Sequence, residues 1–523
     1  MSIRMPLRWR VADGDDEVEA RLAAELGIHA VTARLLAQRG LTTPEAAHRF
    51  LHPSLQDLHD PQLLPDADLA CSRLKDALHA REKILIHGDY DGDGVTSAAL
   101  WTRVLRSLGA EVDVFVPHRK RDGYDLRMPI IEQARQEGVK LIVTTDCGIQ
   151  RLDEVEHARQ YGIDVIVTDH HTPNLSGALP RAVAVVNPHR KDSRYPFPHL
   201  AGVGVSFRLC ELLISTLGHN VASYRRAFLD LACIGTITDV MPLLDENRIM
   251  AAHGLIALQS TQKPGLKALI EASGFSQSKQ LTARSVGFGL GPRLNAASRM
   301  DETQIALDLL LTRDQAQSRI LADRLNDLNI KRREEQDRVF EEAMALAAQL
   351  SMTDTGCLVL SGKGWPGGVI GIVAGKVAER CHRPAVIIGM DDAGGRGSAR
   401  SIHPFNIFEA IDSCKELLWE YGGHAHAAGF SLAAESVGPL AQRLNQLALE
   451  QLTEEDLQPV LEASMVLPAA QVSPELVDEL ARFAPHGPGN EEPCFVSRNL
   501  RVAGVKTMGK ESQHLKLMFG ARG

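Results

Sequence analysis

Residues 83–94 of the chain read KILIHGDYDGDG. The apolar first half predicts a short buried β-strand. The second half places Asp89, Asp91 and Asp93 at alternate positions, with His87 just before them and glycines between them. A buried strand that runs into a polar, glycine-rich loop is typical of the carboxyl edge of a parallel sheet, where α/β proteins bind ligands. This stretch therefore predicts both the fold class and the position of a site.

Short apolar strands alternate with helices on the carboxyl side of this stretch. TSAALWTRVLRSLG predicts a helix, and the segments EVDVFVPH, VKLIVTTDCG and IDVIVTDHH predict three further strands, with helices between them. Strict alternation of this kind predicts an α/β fold with a doubly wound parallel sheet. Because the carboxyl ends of parallel strands share one edge of the sheet, residues that follow different strands are expected to meet there.

Acidic and histidine residues also follow two further predicted strands. Asp146 follows LIVTT, the sequence Asp169-His170-His171 follows IDVIVT, and Asp239 lies farther along in GTITDVMPL. Each of these alone would be read as a helix cap or a surface residue. Together with the Asp-rich loop they predict a centre for two metal ions, because hard divalent cations prefer carboxylate oxygens and an added imidazole favours Mn²⁺ or a similar metal.

Two simpler interpretations of the Asp-rich loop are weaker. An EF-hand loop that begins at Asp89 requires Glu at its twelfth position, whereas the chain has Leu100 there, followed by Trp101. A plain Asp-Gly turn would leave three close carboxylates repelling one another unless a cation neutralised them. Metal binding is therefore the favoured interpretation.

The rest of the chain predicts further segments. Residues 204–311 read as mostly helical, with a glycine-rich loop at GFGLGPRLNAASR. Residues 313–350 contain no Gly or Pro, which predicts one exposed helix of roughly 55 Å at 1.5 Å per residue. A pair of helices with a turn near Asn329 is the alternative.

A second, smaller α/β unit follows, with GGRGSARS as a predicted loop. The predicted domains are 1–70 (helical), 71–312 (parallel sheet and helical subdomain), 313–350 (long helix), 351–452 (second α/β unit) and 453–523 (small β module).

Composition excludes several protein classes. The 523 residues carry a formal charge of −9. The eight cysteines are scattered and include no CxxC pair, and this cysteine pattern argues against a structural zinc site or a disulfide framework. No apolar run approaches the 18 or so residues that a membrane helix requires, and no secretory signal is recognisable. We expect a cytoplasmic protein that does not contact membranes.

The motifs HGDYDGDG, TTDCG, TDHH and TDVMPL resemble those of the DHH phosphoesterases, in the same order over residues 80–240. The resemblance implies that His87, Asp91 and Asp146 hold one divalent metal ion, Mn²⁺ in preference to Mg²⁺. It implies that a second ion is held by Asp93, Asp146, His170 and Asp239, so that Asp146 is shared between the two ions. Asp89 would be an additional ligand. Asp169 and His171 would have catalytic roles, orienting water and phosphate.

Arginines in Gly- and Ser-rich segments suit a phosphate-bearing polymer. GGRGSARS and GGHAHAAG resemble the DHH-associated domain that grips substrate in this family. The segment PHGPGNEEPCF and the strand HLKLMFG resemble part of an OB-fold, although an OB-fold needs about five strands and the chain offers about three. The resemblance implies that Arg299, Ser398 and Arg400 contact phosphate near the 5′ end of the substrate. Arg119 is a candidate for contact with the strand backbone, and His424 is a candidate for contact with the phosphate or the terminal nucleotide.

This order of domains resembles the family members that degrade single-stranded DNA. It implies a metal-dependent 5′-to-3′ exonuclease that releases mononucleotides with metal-activated water and acts in DNA repair and recombination. Single-strand-binding protein and a RecQ-type helicase are the implied partners of a monomeric enzyme. Two alternatives stay open: a nuclease or phosphatase for short oligonucleotides or cyclic dinucleotides, and a non-catalytic scaffold that binds single-stranded DNA.

Overall fold

The computed structural model describes residues 7–119, 121–123, 125–174, 176–276, 280–509 and 514–520. The chain divides into two compact units. The larger unit comprises Val11–Asn326 and Ala463–Gly523, and the smaller unit comprises Met1–Arg10 and Asp327–Glu462. Within the described residues, no helix combines the length and apolar character needed to cross a membrane.

The first element is a strand, whereas only helices were predicted for residues 1–70. Arg8–Val11 pairs with Val460–Ala463, which explains the difference, since the partner strand is hundreds of residues away. The elements of this segment are β1 (Arg8–Val11), α1 (Asp16–Leu26), α2 (Ala30–Gln38), α3 (Pro44–Leu51) and α4 (Ala67–Ala80), with 3-10 turns at Leu55–Asp57 and Pro61–Leu63.

The N-terminal helices share a core with the C-terminal segment. Leu36 and Phe50 pack in one cluster with Leu476 and Phe483. The buried guanidinium of Arg248 donates hydrogen bonds to the carbonyl oxygens of Phe50 (2.9 Å) and Phe483 (2.8 Å) and thereby links the two segments. The two ends of the larger unit are therefore held together by packing and by buried hydrogen bonds.

A five-stranded parallel sheet forms the centre of the larger unit. Its strand order is β3-β2-β4-β5-β6, and every neighbouring pair is parallel. The elements are β2 (Ile84–Gly88), α5 (Gly92–Ser107), β3 (Val112–Phe115), α6 (Met128–Gln136), β4 (Leu141–Thr145), α7 (Leu152–Gln160), β5 (Asp164–Thr168) and β6 (Ala184–Val186). The sheet predicted from the alternating pattern is confirmed.

Helices cover both faces of this sheet, as expected for a doubly wound fold. Helices α6 and α7 pack on one face through Ile131 and Val155, which join a cluster with Ile142 and Val165. Helix α5 and the helix Gly202–Thr216 pack on the other face. Strand β3 lies on one side of β2, and the chain then crosses to β4 on the other side of β2. Ligands bind at such a switch point, outside the carboxyl ends of the strands.

A helical part follows the sheet. Its elements are α8 (Gly202–Thr216), α9 (Val221–Thr238), α10 (Asp245–Gln259), α11 (Pro264–Ala272), α12 (Ala283–Ser285), a π-helix (Val286–Leu290), α13 (Gly291–Arg299), α14 (Thr303–Leu311) and α15 (Gln315–Ala347). The predicted loop at GFGLGPRLNAASR is wrong, because these residues are helical. Their glycines permit close packing: a Cβ at Gly289 would lie 2.4 Å from the Phe275 ring, and one at Gly291 would lie 2.6 Å from Thr238 Oγ1.

The long helix is confirmed as one continuous element of 33 residues, α15. The alternative with a turn near Asn329 is wrong. The helix is not the exposed rod that its charged faces suggested, since Val339 and Ala343 are buried in the core of the smaller unit. One of its charged residues, Arg332, is also buried and donates hydrogen bonds to Gln336 and Asn329.

The smaller unit contains a second five-stranded sheet, with strand order β10-β11-β9-β8-β7. Strands β7 and β8 are parallel, and the other pairs are antiparallel. The elements are β7 (Leu358–Lys363), α16 (Gly367–Cys381), β8 (Ala385–Asp391), β9 (Gly394–Arg400), α17 (Ile407–Asp412), β10 (Leu418–His424), β11 (Ala427–Leu432) and α18 (Val437–Gln451).

The predicted loop at GGRGSARS is a strand, β9. Glycine is usually unfavourable within strands, but here it makes room for neighbouring side chains. A Cβ at Gly397 would lie 2.2 Å from the Phe430 ring of β11. The glycine pattern therefore reflects packing of the sheet rather than a turn.

The C-terminal segment contributes short elements of mostly β structure. They are β12 (Val460–Ala463), β13 (Met465–Val466), α19 (Pro474–Ala481), β14 (Phe495–Val496), β15 (Arg501–Met508) and β16 (His514–Gly520). Strands β15 and β16 form an antiparallel ribbon. The predicted partial OB-like module is confirmed at the level of these strands, and residues 510–513 and 521–523 of that prediction lie outside the described residues.

Candidate metal centre

The Asp-rich loop connects β2 to the first turn of α5. Asp91 is the N-cap of α5, and its Oδ1 accepts hydrogen bonds from the backbone N–H groups of Asp93 (3.0 Å) and Gly94 (3.1 Å). A Cβ at Gly94 would lie 2.5 Å from the carbonyl oxygen of Asp89, so the tight path of the loop requires glycine there. The sequence thus folds these aspartates into one turn at the end of the strand.

Two neighbouring strands deliver further ligands to the same place. Asp146 follows β4 and has a left-handed backbone (φ 63). Its Oδ1 lies 3.1 Å from Nε2 of His170, which follows β5. The Asp239 carboxylate, at the end of α9, lies 3.6 Å from the same imidazole nitrogen. The predicted convergence at the edge of the sheet is therefore present in the structure.

The N-terminus of α8 closes the centre from the side. Asp93 accepts hydrogen bonds from the backbone N–H groups of Gly202 (2.7 Å) and Val203 (2.9 Å). This interaction fixes the carboxylate and stabilises its charge through the helix dipole. A Cβ at Gly202 would lie 2.6 Å from Oδ1 of Asp146, so the helix can approach only because this residue is glycine.

Three groups of side chains are close enough to hold a metal ion, with ligand atoms within 4.8 Å of one another. Asp146 belongs to two groups, which fits its predicted position between two ions. His171 also belongs to one, although the sequence assigned it to phosphate rather than metal. The groups are Asp146-His170-His171, Asp93-His170-Asp239 and Asp89-Asp91-Asp146.

The electrostatics of these groups fit cations. Among the described residues, buried Oδ1 atoms of Asp89 and Asp146 have no hydrogen-bond partner. Burial, and then the neighbouring carboxylates, raise the pKa of Asp93 to about 7 and hold the pKa values of Asp146 and Asp239 well above the ordinary value. Carboxylates crowded in this way need a positive charge to stay ionised. The residues present therefore fit a pair of divalent cations.

His87 lies in the same buried region but in none of the three groups. Its Nε2 has no hydrogen-bond partner among the described residues, and its Nδ1 lies 3.6 Å from the Cys147 thiol. Burial lowers the pKa of His87 to about 4, so its ring is neutral at neutral pH. A neutral imidazole with one open nitrogen retains the chemistry of a ligand.

Asp169 and His171 form an ion pair beside the metal groups. The His171 Nδ1 lies 2.8 Å from Asp169 Oδ1, and Asp169 also accepts a hydrogen bond from the backbone N–H of Ile149 (2.9 Å). Burial opposes both charges, but the Asp169 charge raises the pKa of His171 to about 10, and His171 lowers the pKa of Asp169 to about 2. The pair thus presents an imidazolium next to the centre.

Arg119 and Arg299 both lie near Tyr90 in the Asp-rich loop. The Arg119 guanidinium lies 5.4 Å from the centroid of the Tyr90 ring. The charges of Arg119 and Arg299 both act on the pKa of Tyr90, which burial raises to about 12. Arg299 ends helix α13 and does not lie in a loop, in contrast to the prediction. Both arginines are half-buried next to the predicted ligands.

Ser398, Arg400 and His424 lie in the smaller unit. Arg400 belongs to strand β9 rather than to a loop, and its Nη1 donates a 3.3 Å hydrogen bond to Ser398 Oγ. A Cβ at Gly371 in α16 would lie 3.0 Å from Ser398 Oγ, so glycine brings the helix close to these groups. Ala427 of β11 pairs with Arg400 of β9 on one side and with His424 of β10 on the other, so Arg400 and His424 lie in the same row across the sheet.

Two supporting residues were not among the predicted site residues. Asn295 of α13 accepts a 2.7 Å hydrogen bond at its Oδ1 from the backbone N–H of Gly92, which holds the Asp-rich loop. Gly202 admits α8 to the centre. Both lie more than one hundred residues from the loop that they support, and only tertiary contacts identify them.

Three protein-family models match the chain. They are the DHH family, N-terminal domain (residues 83–236), the DHHA1 domain (residues 354–450) and the RecJ OB domain (residues 464–523). The single-stranded-DNA-specific exonuclease RecJ of Dickeya dadantii is 38% identical over 94% of this chain and 86% of its own length. The chain belongs to the RecJ family.

Other RecJ proteins agree with this assignment. The single-stranded-DNA-specific exonuclease RecJ of Bacillus subtilis is 38% identical over 98% of this chain, which spans 64% of that relative's length. The crystal structure of RecJ from Thermus thermophilus in complex with Mn²⁺ has a TM-score of 0.84 and 31% identity, over 98% of this chain and 72% of that one. A second structure of that protein is in complex with Mg²⁺. The family and fold expected from the motifs are confirmed.

Proposed function

We propose that this chain is a metal-dependent exonuclease that degrades single-stranded DNA in the 5′-to-3′ direction to mononucleotides. The convergence of three ligand groups on Asp146 and His170, at the switch point of the parallel sheet, carries the proposal. The names of the RecJ relatives, single-stranded-DNA-specific exonucleases, supply the substrate. A role in DNA repair and recombination follows from membership of that family.

The proposed cofactors are two divalent metal ions, Mn²⁺ or Mg²⁺, as in the Thermus RecJ structures. When bound, such ions lower the pKa of water and take up negative charge on the attacked phosphate. Asp146 would be shared between the ions, and no covalent enzyme intermediate is needed. The remaining proposed ligands are His87, Asp89, Asp91, Asp93, His170 and Asp239.

The ion pair of Asp169 and His171 would act on the phosphate. The 2.8 Å contact between Asp169 Oδ1 and His171 Nδ1 orients the imidazole, so His171 offers an N–H donor to the phosphate. In the metal-free protein the Asp169 charge raises the pKa of His171 to about 10, although burial opposes it. A donor already in place stabilises charge that develops during the reaction without further reorganisation. Asp169 is thereby a positioning residue, and His171 is the group in contact with substrate.

The arginines and the smaller unit would select the substrate. Arg119 would contact the strand backbone beside the Asp-rich loop. Arg299, Ser398 and Arg400 would bind the phosphate near the 5′ end, and His424 would meet that phosphate or the terminal nucleotide. The row shared by Arg400 and His424, with the close approach of α16 to Ser398, supports this assignment. Guanidinium groups pair with phosphate oxygens in a bidentate geometry.

The predicted domains would divide this work. Residues 71–312 would hold the chemistry, residues 313–350 would connect it to the substrate-binding domain 351–452, and the module 453–523 would bind DNA with the support of the helical segment 1–70. We further propose a monomer in the cytoplasm that meets single-strand-binding protein and a RecQ-type helicase. Gel filtration and co-purification with each protein test these assignments.

Digestion of labelled DNA tests the proposed activity. Single-stranded DNA labelled at the 5′ end should release labelled mononucleotide in Mn²⁺, whereas blunt duplex DNA should resist. His170→Ala should abolish release without changing the circular dichroism spectrum. Equal rates on both substrates, or release that begins at the 3′ end, would contradict the proposal.

The two alternative functions predict other outcomes of the same assay. A nuclease for short oligonucleotides would cleave a dinucleotide faster than a forty-nucleotide strand. A non-catalytic scaffold would bind single-stranded DNA and release no nucleotide in either metal. The complete set of ligand groups favours the exonuclease over the scaffold.

A further inference from the structure

Phe288 lies on the surface of the larger unit with 76% of its area exposed, the highest value for a large apolar side chain among the described residues. Single exposed apolar residues are common and carry little meaning alone. Phe288 differs because a guanidinium covers its ring: Arg284, one turn earlier, lies with its Cζ 5.2 Å from the ring centroid. The two side chains form a flat surface that is both aromatic and cationic.

The local backbone forces this ring outward. Phe288 is the middle residue of the π-helix Val286–Leu290, and π-helical turns occur frequently at functional sites. Gly287 and Gly289 flank it and face inward: a Cβ at Gly287 would lie 3.6 Å from Ile237, and one at Gly289 would lie 2.4 Å from Phe275. The glycines on both sides of Phe288 therefore pack against the protein, while the Phe288 ring is exposed to solvent.

The same helical segment leads directly to the metal centre. A Cβ at Gly291 would lie 2.6 Å from Oγ1 of Thr238, the residue before Asp239. One turn farther, Asn295 binds the backbone of the Asp-rich loop. Phe288 precedes Asn295 by seven residues, or roughly 10 Å at 1.5 Å per residue. A single strand with its phosphate at the centre can reach the ring within a few nucleotides.

We infer that Arg284 and Phe288 form a stacking platform for one unpaired base of the DNA strand, outside the metal centre. The inference rests on the proposed exonuclease function and adds a subsite to it. Aromatic rings bind unstacked bases of any sequence through their faces, and a nearby arginine adds attraction for the base and the phosphate. Bases within duplex DNA are already stacked on their neighbours and have no free face, so the platform favours single strands.

Fluorescence of 2-aminopurine tests the platform directly, because stacking quenches this base. The base is placed at successive positions of a 5′-phosphorylated 20-nucleotide strand, and binding to the full chain is measured in EDTA so that no cleavage occurs. We expect quenching at one or two adjacent positions. Phe288→Ala should remove that quenching and weaken binding about fivefold or more, the lower range for loss of one stacked base. Phe288→Trp should preserve both.

Ile320→Ala is the matched control, since Ile320 is also an apolar residue of the larger unit with 70% exposure. If Phe288→Ala and Ile320→Ala give the same quenching profile and the same affinity, the platform is wrong. Digestion of single-stranded DNA by the wild type in Mn²⁺ is measured in parallel. Absence of that activity overturns the proposed function, whereas activity combined with an unchanged quenching profile overturns the platform alone.

Discussion

Asp146 combines a left-handed backbone with a buried position among several other carboxylates. Its φ of 63 is a conformation that aspartate and asparagine tolerate better than most residues. Its buried Oδ1 lies 3.1 Å from His170 and has no hydrogen-bond donor among the described residues. Strain of this kind at a functional position persists only when the surrounding structure fixes it.

Asp146→Asn separates the charge of this residue from its shape, because asparagine also adopts the left-handed backbone. We expect turnover to fall below roughly 1% of wild type, a larger loss than the 10- to 100-fold typical of supporting residues. The rise in melting temperature on addition of Mn²⁺ should also disappear, since that rise measures binding to the folded state. Differential scanning calorimetry with and without Mn²⁺ gives this measurement.

Asp153→Asn is the control for this substitution, because Asp153 is an exposed aspartate on α7. It should keep both turnover and the Mn²⁺-dependent rise in melting temperature. A full Mn²⁺ response in Asp146→Asn would show that Asp146 is not a ligand.

The ion pair of Asp169 and His171 makes a prediction about protonation. In Asp169→Asn the carboxylate charge is lost, so the pKa of His171 should fall from about 10 towards the ordinary value for histidine. NMR titration of the metal-free protein, following the His171 ring, measures this change. In the wild type, His171 contributes stability that is lost as pH rises through about 10. Asp169 contributes stability that is lost as pH falls through about 2. An unchanged His171 titration in the variant would contradict the pairing.

At the scale of elements, glycines allow the helices and strands to meet. Sequence patterns around GFGLGPRLNAASR and GGRGSARS predicted loops, and the structure has a helix and a strand. In both cases a Cβ would collide with an aromatic ring, as at Gly289 in the helix and at Gly397 in the strand. Local propensity favours loops for such sequences, but tertiary packing overrides it.

The start of α8 gives the sharpest test at this scale. Gly202→Ala would place a Cβ 2.6 Å from Asp146, so α8 or the Asp146 carboxylate must shift. We expect Mn²⁺ affinity to fall about 10- to 100-fold, as for other supporting positions of metal sites. Isothermal titration calorimetry measures the affinity. Gly204→Ala is the matched control in the same helix, because its Cβ would lie 3.3 Å from Leu200 and would not touch the centre. Equal affinities of the two variants would exclude the proposed role of Gly202.

At the scale of the whole molecule, Asp93 makes a contribution to stability whose pH dependence is unusual for an aspartate. Burial raises the pKa of Asp93 to about 7, while an unfolded aspartate titrates near 3.9. Between these values Asp93 holds a proton in the folded state but not in the unfolded state, so its contribution to the free energy of unfolding falls as pH rises. We expect Asp93→Asn, relative to the wild type in EDTA, to raise the melting temperature a few degrees more at pH 8 than at pH 5.5, roughly the shift that 1 kcal/mol produces in a large domain.

Mn²⁺ should reverse this trend, because cations favour the ionised carboxylates. Melting curves at both pH values, in EDTA and in Mn²⁺, provide the comparison. Equal effects of Asp93→Asn on the melting temperature in EDTA at pH 5.5 and at pH 8 would be inconsistent with the crowded carboxylates.

The sequence by itself determined the parallel sheet, the long helix and the convergence of Asp146 and His170 at one edge. These features follow from local periodicity and from the rule that parallel strands end on the same side, so neighbouring residues suffice. Tertiary structure alone decided that Gly202 and Asn295 support the centre, that Arg248 ties the N-terminal helices to the C-terminal segment, and that Phe288 faces solvent. Each of these depends on contacts between segments far apart in the chain, and no local pattern encodes such contacts.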